Sequence, residues 1–179
     1  TLIVENKIFI ERTASIGVLS AEHAQAWGCS GPMLRGSGID WDLRRDQPYL
    51  IYDRLEFDVV KGVGYRGQVG DCFDRTFVRM FEMVESVRIV RQCLEQMPEG
   101  EVMHEEVGAV IRPAPGESYV AIENPRGELG HYCVSDGTKI AVRVRVRSPS
   151  FCNMSVAEHL MPGAMLGDAA AIIGSVDIV

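Results

Sequence analysis

The chain has 179 residues, 46% apolar and 24% charged, and 18 basic against 25 acidic side chains leave a net charge of −7. That length fits one domain, or part of a larger one, and is enough to bury a core. The apolar fraction excludes general disorder, and the acidic balance excludes a nucleic-acid surface as the main partner, because phosphate binding needs a basic face.

Residues 2–10 (LIVENKIFI) read as the tail of a helix, and their Glu5, Asn6 and Lys7 break any signal-peptide core. Ser20 is a candidate N-cap for a short helix over residues 20–27 that ends at Gly28. Residues 28–48 mix glycine, charge and aromatics without a period and read as a long loop. A short apolar turn follows Pro48, and then a second glycine-rich loop at 62–70. The clearest helical period runs from about Asp71 to Met97, with Phe73, Phe77, Met80, Phe81, Val84, Val87, Val90, Leu94 and Met97 at spacings of three and four. Its arginines and glutamates, among them Arg75, Arg79, Glu82 and Arg88, read as a solvated face, and its apolar stripe calls for other helices to cover it.

After a loop-like stretch at 101–116 the period changes to two. Residues 118–123, 129–135 and 139–147 read as strands, with turns at Asn124-Pro125-Arg126-Gly127 and Asp136-Gly137. In the third, Val142, Val144 and Val146 share one face, and Arg143, Arg145 and Arg147 the other. Residues 148–154 read as a loop, followed by short helices near 157–160 and 165–173. The fold class is therefore α+β, mainly helical, with a small antiparallel sheet over about 118–147.

No apolar run approaches the ~20 residues of a bilayer span, so the chain is expected to be soluble or peripheral, and intracellular. The cysteines at 29, 72, 93, 133 and 152 are odd in number and form no CxxC pair, which argues against a disulfide framework or a Cys-ligated metal. Phosphate-loop, dinucleotide-binding, HExxH and GxSxG motifs are missing, and the four histidines do not pair at helical ligand spacing. The apolar C-terminal run and the first residues together suggest a fragment of a longer protein.

Five strings in order carry a resemblance: GPMLRGSGIDWDLR (31–44), DCFDRTFVRMFEMVESVRIVRQCLEQMP (71–98), ENPRGELGHYCVSDG (123–137), VRSPSFCN (146–153) and AAIIGSVDIV (170–179). They resemble the C-terminal half of the D-type subunit family of NADH:quinone oxidoreductase, respiratory complex I, within the nickel–iron hydrogenase large-subunit superfamily. The resemblance covers essentially the whole chain and implies a hydrogenase-large-subunit-like fold whose N-terminal half is not in this sequence. Family members often carry an additional helical stretch with adjacent histidines before the first strand, whereas residues 99–116 here are short.

Hydrogenases in this superfamily place an arginine of a Pro-Arg-Gly motif over the metal and end in an Asp-Pro-Cys-x-x-Cys ligand motif. The matching stretches here are Pro125-Arg126-Gly127 and Asp177-Ile178-Val179. An aliphatic residue in place of the first thiolate cannot hold nickel, so the resemblance implies a quinone cavity instead, and no metal on this chain.

It further implies that NADH is oxidised on another subunit and that quinone is reduced against the B-type iron–sulfur subunit, coupled to proton translocation through the membrane arm. The partners implied are that iron–sulfur subunit, other peripheral-arm and membrane-arm subunits, and quinone. The place implied is the cytoplasmic side of the inner membrane, or the matrix or stromal side in an organelle, without a span of its own. Arg126, Asp177 and Val179 are the candidate wall of the quinone site. Against these roles, Arg126 could simply pair with Glu123 or Glu128, Asp177 could cap a turn, and Val179 could be ordinary core. A nickel–iron catalytic subunit and a non-catalytic docking scaffold for the iron–sulfur subunit are the alternative functions.

Overall fold

The computed structural model describes residues 4–103 and 110–178. Val179 and His104 lie outside them, as does part of the short 99–116 stretch. The architecture is α+β: short helices around one long one, beside a three-stranded antiparallel sheet.

Helix α1 spans Lys7–Glu11. It begins at its own cap, because the Asn6 side chain accepts from the N–H groups of Ile8 and Phe9. Of the stretch read as a helix tail, residues 4–6 are therefore a turn that leads into this helix. Helix α2 spans Ala21–Ala26 with Ser20 as N-cap, as the sequence suggests. The expected loop at 28–48 contains two more helical turns, α3 (Pro32–Gly36) and α4 (Leu43–Asp46). Proline at the first position starts α3, and the Asp42 carboxylate caps α4. Both segments are too short to show a period, so composition alone reads them as loop.

Helix α5 spans Cys72–Glu95. Its N-cap, Asp71, is fully buried and accepts from the N–H groups of Ser15, Gln68 and Asp74. One turn on, Asp74 accepts from Gly64 and Tyr65. Two aspartates thus tie the preceding loops to one helix end. The charges read as a solvated face divide in two. Arg75 is fully buried and donates to the Ser175 hydroxyl, the Gly70 carbonyl and the Cys72 sulfur. Arg88, further along, stays at the surface with Asp58 and Glu85. The apolar residues Val84, Val87, Val90 and Leu94 are exposed among the described residues.

Strands β1 (Gly116–Asn124), β2 (Gly127–Ser135) and β3 (Arg143–Arg147) pair in that order. The third strand is shorter than its alternation suggests. Residues 139–142 bend away from regular strand, where Thr138 donates to the Ile140 carbonyl and its own N–H is taken by Asp136, although Val142 N–H still bonds across to Val134. Both faces of β3 are exposed, so its valine face is not covered by the described residues.

The segment read as a loop at 148–154 is helix α6 (Pro149–Ser155), again started by proline. Helix α7 (Ala157–Leu160) follows, then a 3-10 turn (Leu166–Asp168) that runs into α8 (Ala169–Val176), so the helical stretch starts close to where expected and continues three residues further. Leu19, Met33, Leu34, Cys72, Val156, Leu160, Ile172 and Val176 form the core where these helices meet α5.

One contact sets the sheet against the helices. A Cβ on Gly31 would lie 2.4 Å from Gly127 Cα, so the hairpin turn rests directly on the Gly31 backbone, which has a φ of +65°. Asn153 locks this contact: it accepts from Ser30 N–H and donates to the Ser30 and Arg126 carbonyls. Gly31→Ala is expected to destabilise the protein by about 3 kcal/mol, since backbone meets backbone and no side chain can yield. Urea unfolding midpoints of the two proteins check this.

Candidate functional site

The β1–β2 turn is built by its own residues. Pro125 fixes one backbone angle, the Asn124 side chain accepts from Arg126 N–H, and Gly127 (φ +124°) pairs back to Asn124. This leaves Arg126 at the tip, and its reach decides its role. Its Nε donates to the Asp177 carbonyl at 3.0 Å, and its Nη2 lies 3.6 Å from the Asp177 carboxylate. The simpler pairing with Glu123 or Glu128 is not what the arginine makes. Two of the sequence-expected site residues, far apart in the chain, are therefore in direct contact.

Asp177 ends α8 in the left-handed conformation, at φ 57° and ψ 62°. Aspartate tolerates that region better than most residues. A third group converges there. Arg79 Nε lies 3.6 Å from the Asp177 carboxylate, and its guanidinium donates to the Val176 and Arg75 carbonyls. Burial pushes the Arg79 guanidinium down to about 10, against the pull of Asp177. Its Nε has no hydrogen-bond partner among the described residues, because Asp177 stands just beyond bonding distance.

Asp177, Arg79, Asn124 and Pro125 border a cavity of about 670 Å³. Arg126 does not line it and acts on it through Asp177. Met80, Met83 and Tyr52 supply apolar wall, and Arg35, Arg44, Glu82 and Glu123 add charge to it. A second cavity, of about 450 Å³, is lined mostly by apolar and aromatic side chains, including Phe73, Phe77 and Phe81, and shares Met80 with the first. Among the described residues no group of three or more His, Cys, Asp or Glu could hold a metal.

Arg35 is the organising charge of the cavity wall. It is 2% exposed. Its Nε donates to Glu82 at 2.6 Å, and its Nη1 to Glu123 at 2.8 Å and to the Trp41 carbonyl at 3.1 Å. Asp42 is 3.4 Å away and is also held by two N–H groups of the Arg44 guanidinium. Burial works against Asp42's charge, but the bonds from Arg44 and the charge of Arg35 hold its carboxyl below the usual range. At Glu123 burial wins and raises the carboxyl above the usual range, with Arg35 opposing and Asp42 adding to the rise.

Sequence reading missed Arg35, Arg79, Glu82, Glu123 and Asn153. Arg35 sits in a segment read as loop, and Arg79 and Glu82 in a stripe whose charges look solvated. The only available signal was weak: Arg75 and Arg79 stand four apart, on one face.

The chain matches the family described as respiratory-chain NADH dehydrogenase, 49 Kd subunit, over residues 1–113 and 106–179. The two matched stretches meet within the segment that is short here. A D-type subunit of NADH-quinone oxidoreductase from Chlorobaculum tepidum is 49% identical over 99% of this chain and 45% of its own length. One from Solibacter usitatus is 44% identical over 99% and 46%. One from Wolbachia of Culex pipiens is 44% identical over 99% and 50%. The chain spans about half the length of the curated relatives it matches.

Arg35→Met is expected to destabilise the protein by about 3–5 kcal/mol near neutral pH, because three carboxylates lose a shared buried partner. Those carboxyls would then bind protons more readily folded than unfolded, so the loss should shrink as pH falls toward the carboxylate range. Urea unfolding of wild type and variant across pH reads both the size and the sign.

Proposed function

The chain belongs to the respiratory-chain NADH dehydrogenase 49 Kd subunit family, and on that premise we propose that it forms part of the quinone-reduction site of a NADH:quinone oxidoreductase, against that complex's iron–sulfur subunit. The observation that carries this reading is the contact between Arg126 and Asp177 at the edge of a 670 Å³ cavity. These two stretches correspond, by resemblance, to the residues around the metal centre of hydrogenases. The hydrogenase-like fold is part of the same proposal. Where the hydrogenase ligand motif has its proline, this chain has Ile178, partly buried against the helical core, and where the motif has its first thiolate, the sequence has Val179.

In this reading quinone is the substrate, and NADH is oxidised on another subunit. The electrons arrive from the iron–sulfur subunit, and their transfer to quinone is coupled to proton translocation by membrane-arm subunits. No described helix is long and apolar enough to cross a membrane. In the same proposal the chain joins the membrane through its partners, on the cytoplasmic side of the inner membrane or the equivalent side of an organelle.

This chain's residues have separable tasks. Asp177 and Pro125 border the cavity and shape the place where a quinone headgroup sits. Met80 and Met83 give the headgroup an apolar, polarisable contact. Arg126 and Arg79 are positioning residues. They hold the left-handed turn at Asp177 from two sides, so that the carboxylate and the α8 end keep one place. Their positive charge also favours negative charge that develops on a reduced quinone. Val179, two residues further along the chain, is assigned to the same wall by the resemblance alone.

Arg126→Ala and Asp177→Asn are expected to leave assembly intact and lower inhibitor-sensitive quinone reduction by about 10²-fold. Because Arg126 acts through Asp177, the double variant should lose no more than the worse single one. Purified complexes carrying the variants, assayed with a soluble quinone, check this. Normal turnover in both would contradict the reading and favour a docking scaffold.

A further inference from the structure

The Arg35 cluster has one negative charge too many. Arg35 and Arg44 face Asp42, Glu82 and Glu123 within one closed group of side chains. Asp42 is satisfied by both arginines. Glu82 holds the shortest bond to Arg35, and its side chain is 17% exposed. Glu123 has the weaker position. Its side chain is 4% exposed, it shares Arg35 with the other two, and its second oxygen has only a 3.4 Å contact from Leu43 N–H. A buried carboxylate that shares one cation with two others is easier to protonate than one with a cation of its own.

Among the described residues no cation other than Arg35 forms an ion pair with Glu123, and Arg79, on the same cavity, acts on Glu82 through its field. Tyr49 contributes its hydroxyl, which accepts from Glu123 N–H, and Tyr52 stands on the same cavity wall. Across the hairpin, Glu128 faces Glu123 in register and is itself occupied with Tyr119 and Arg147. Arg79 and Asp177 lie on the same cavity but are engaged with each other. Glu123 nevertheless lines that cavity, so a proton can reach it.

We propose that Glu123 is the proton-exchanging group of this cavity, with Arg35 and Asp42 setting the point at which it exchanges. The carboxylate takes one proton from solvent at the cavity mouth and becomes a neutral carboxylic acid. It gives that proton up to a basic oxygen that comes within hydrogen-bond distance, and no electron moves in the step. Resting on the quinone reading above, the acceptor in turnover is the oxygen of a reduced quinone, and Glu123 is then reloaded from solvent.

Difference infrared spectroscopy of the assembled complex across pH tests the exchange directly. The set is wild type, wild type with carboxyl-labelled glutamate, Glu123→Gln, Glu123→Asp and Glu82→Gln. The expected result is a carboxylic-acid C=O band that titrates above the ordinary carboxylate range and shifts with the glutamate label. It should vanish in Glu123→Gln, lose its label shift in Glu123→Asp, and persist in Glu82→Gln. A label-shifted band that survives in either Glu123 variant, or no such band in wild type, overturns the proposal. Quinone reduction by Glu123→Gln should fall about 10²-fold and lose the pH limb set by this group. If the band behaves as expected while Arg126→Ala and Asp177→Asn turn over normally, the quinone reading fails and the proton exchange stands.

Discussion

A single buried guanidinium ties together most of what the chain builds. Arg35 leaves α3 and meets Glu82 of α5, Glu123 of β1 and the Asp42 cap of α4. Three separate elements are thereby held at hydrogen-bond distance from one point. A charge so placed stabilises little in itself, since the desolvation of four charged groups consumes most of the attraction. Its effect is on geometry, because any arrangement that moves one carboxylate away leaves a buried charge unpaired. The long helix and the hairpin can therefore share only one relative position.

Asn153 does the same work for the hairpin turn without charge. Its side-chain amide satisfies two backbone groups of Ser30 and one of Arg126, the former across more than a hundred residues of sequence. The close glycine approach at Gly31 and Gly127 makes the seat possible, and the amide makes it unique. With the turn fixed there, Arg126 reaches the end of α8 and meets Asp177 from one side as Arg79 meets it from the other. Both fixed structures contribute to one cavity: Asp177 and Arg79 line it together with Arg35, Glu82 and Glu123.

The α+β class, the hairpin with its Asn-Pro-Arg-Gly turn and the cap at Ser20 were legible in the sequence because each rests on local chemistry: period, proline and glycine placement, and a capping hydroxyl. Helices α3, α4 and α6 were not, since a turn or two of helix shows no period and is dictated by proline starts and tertiary contacts. The third strand read too long because alternation continues through residues whose backbone is claimed by Thr138 and Asp136. Arg126 and Asp177 could be named from a resemblance, but their contact could not, as nothing local links a turn to a helix end 51 residues on. The charges of α5 were hardest. Whether Arg75, Arg79 and Glu82 face solvent depends on what packs on them, and the helical period is the same in either case.

The quinone reading stands or falls on whether a headgroup enters the cavity between the hairpin turn and the end of α8. Photoaffinity labelling of the assembled complex with an azido-quinone, followed by mass-spectrometric mapping, asks this without relying on turnover. Inhibitor-sensitive labelling is expected within this cavity, at Met80, Met83, Pro125 or Asp177. Inhibitor-sensitive labelling confined to other surfaces, with none of these residues modified, would refute it.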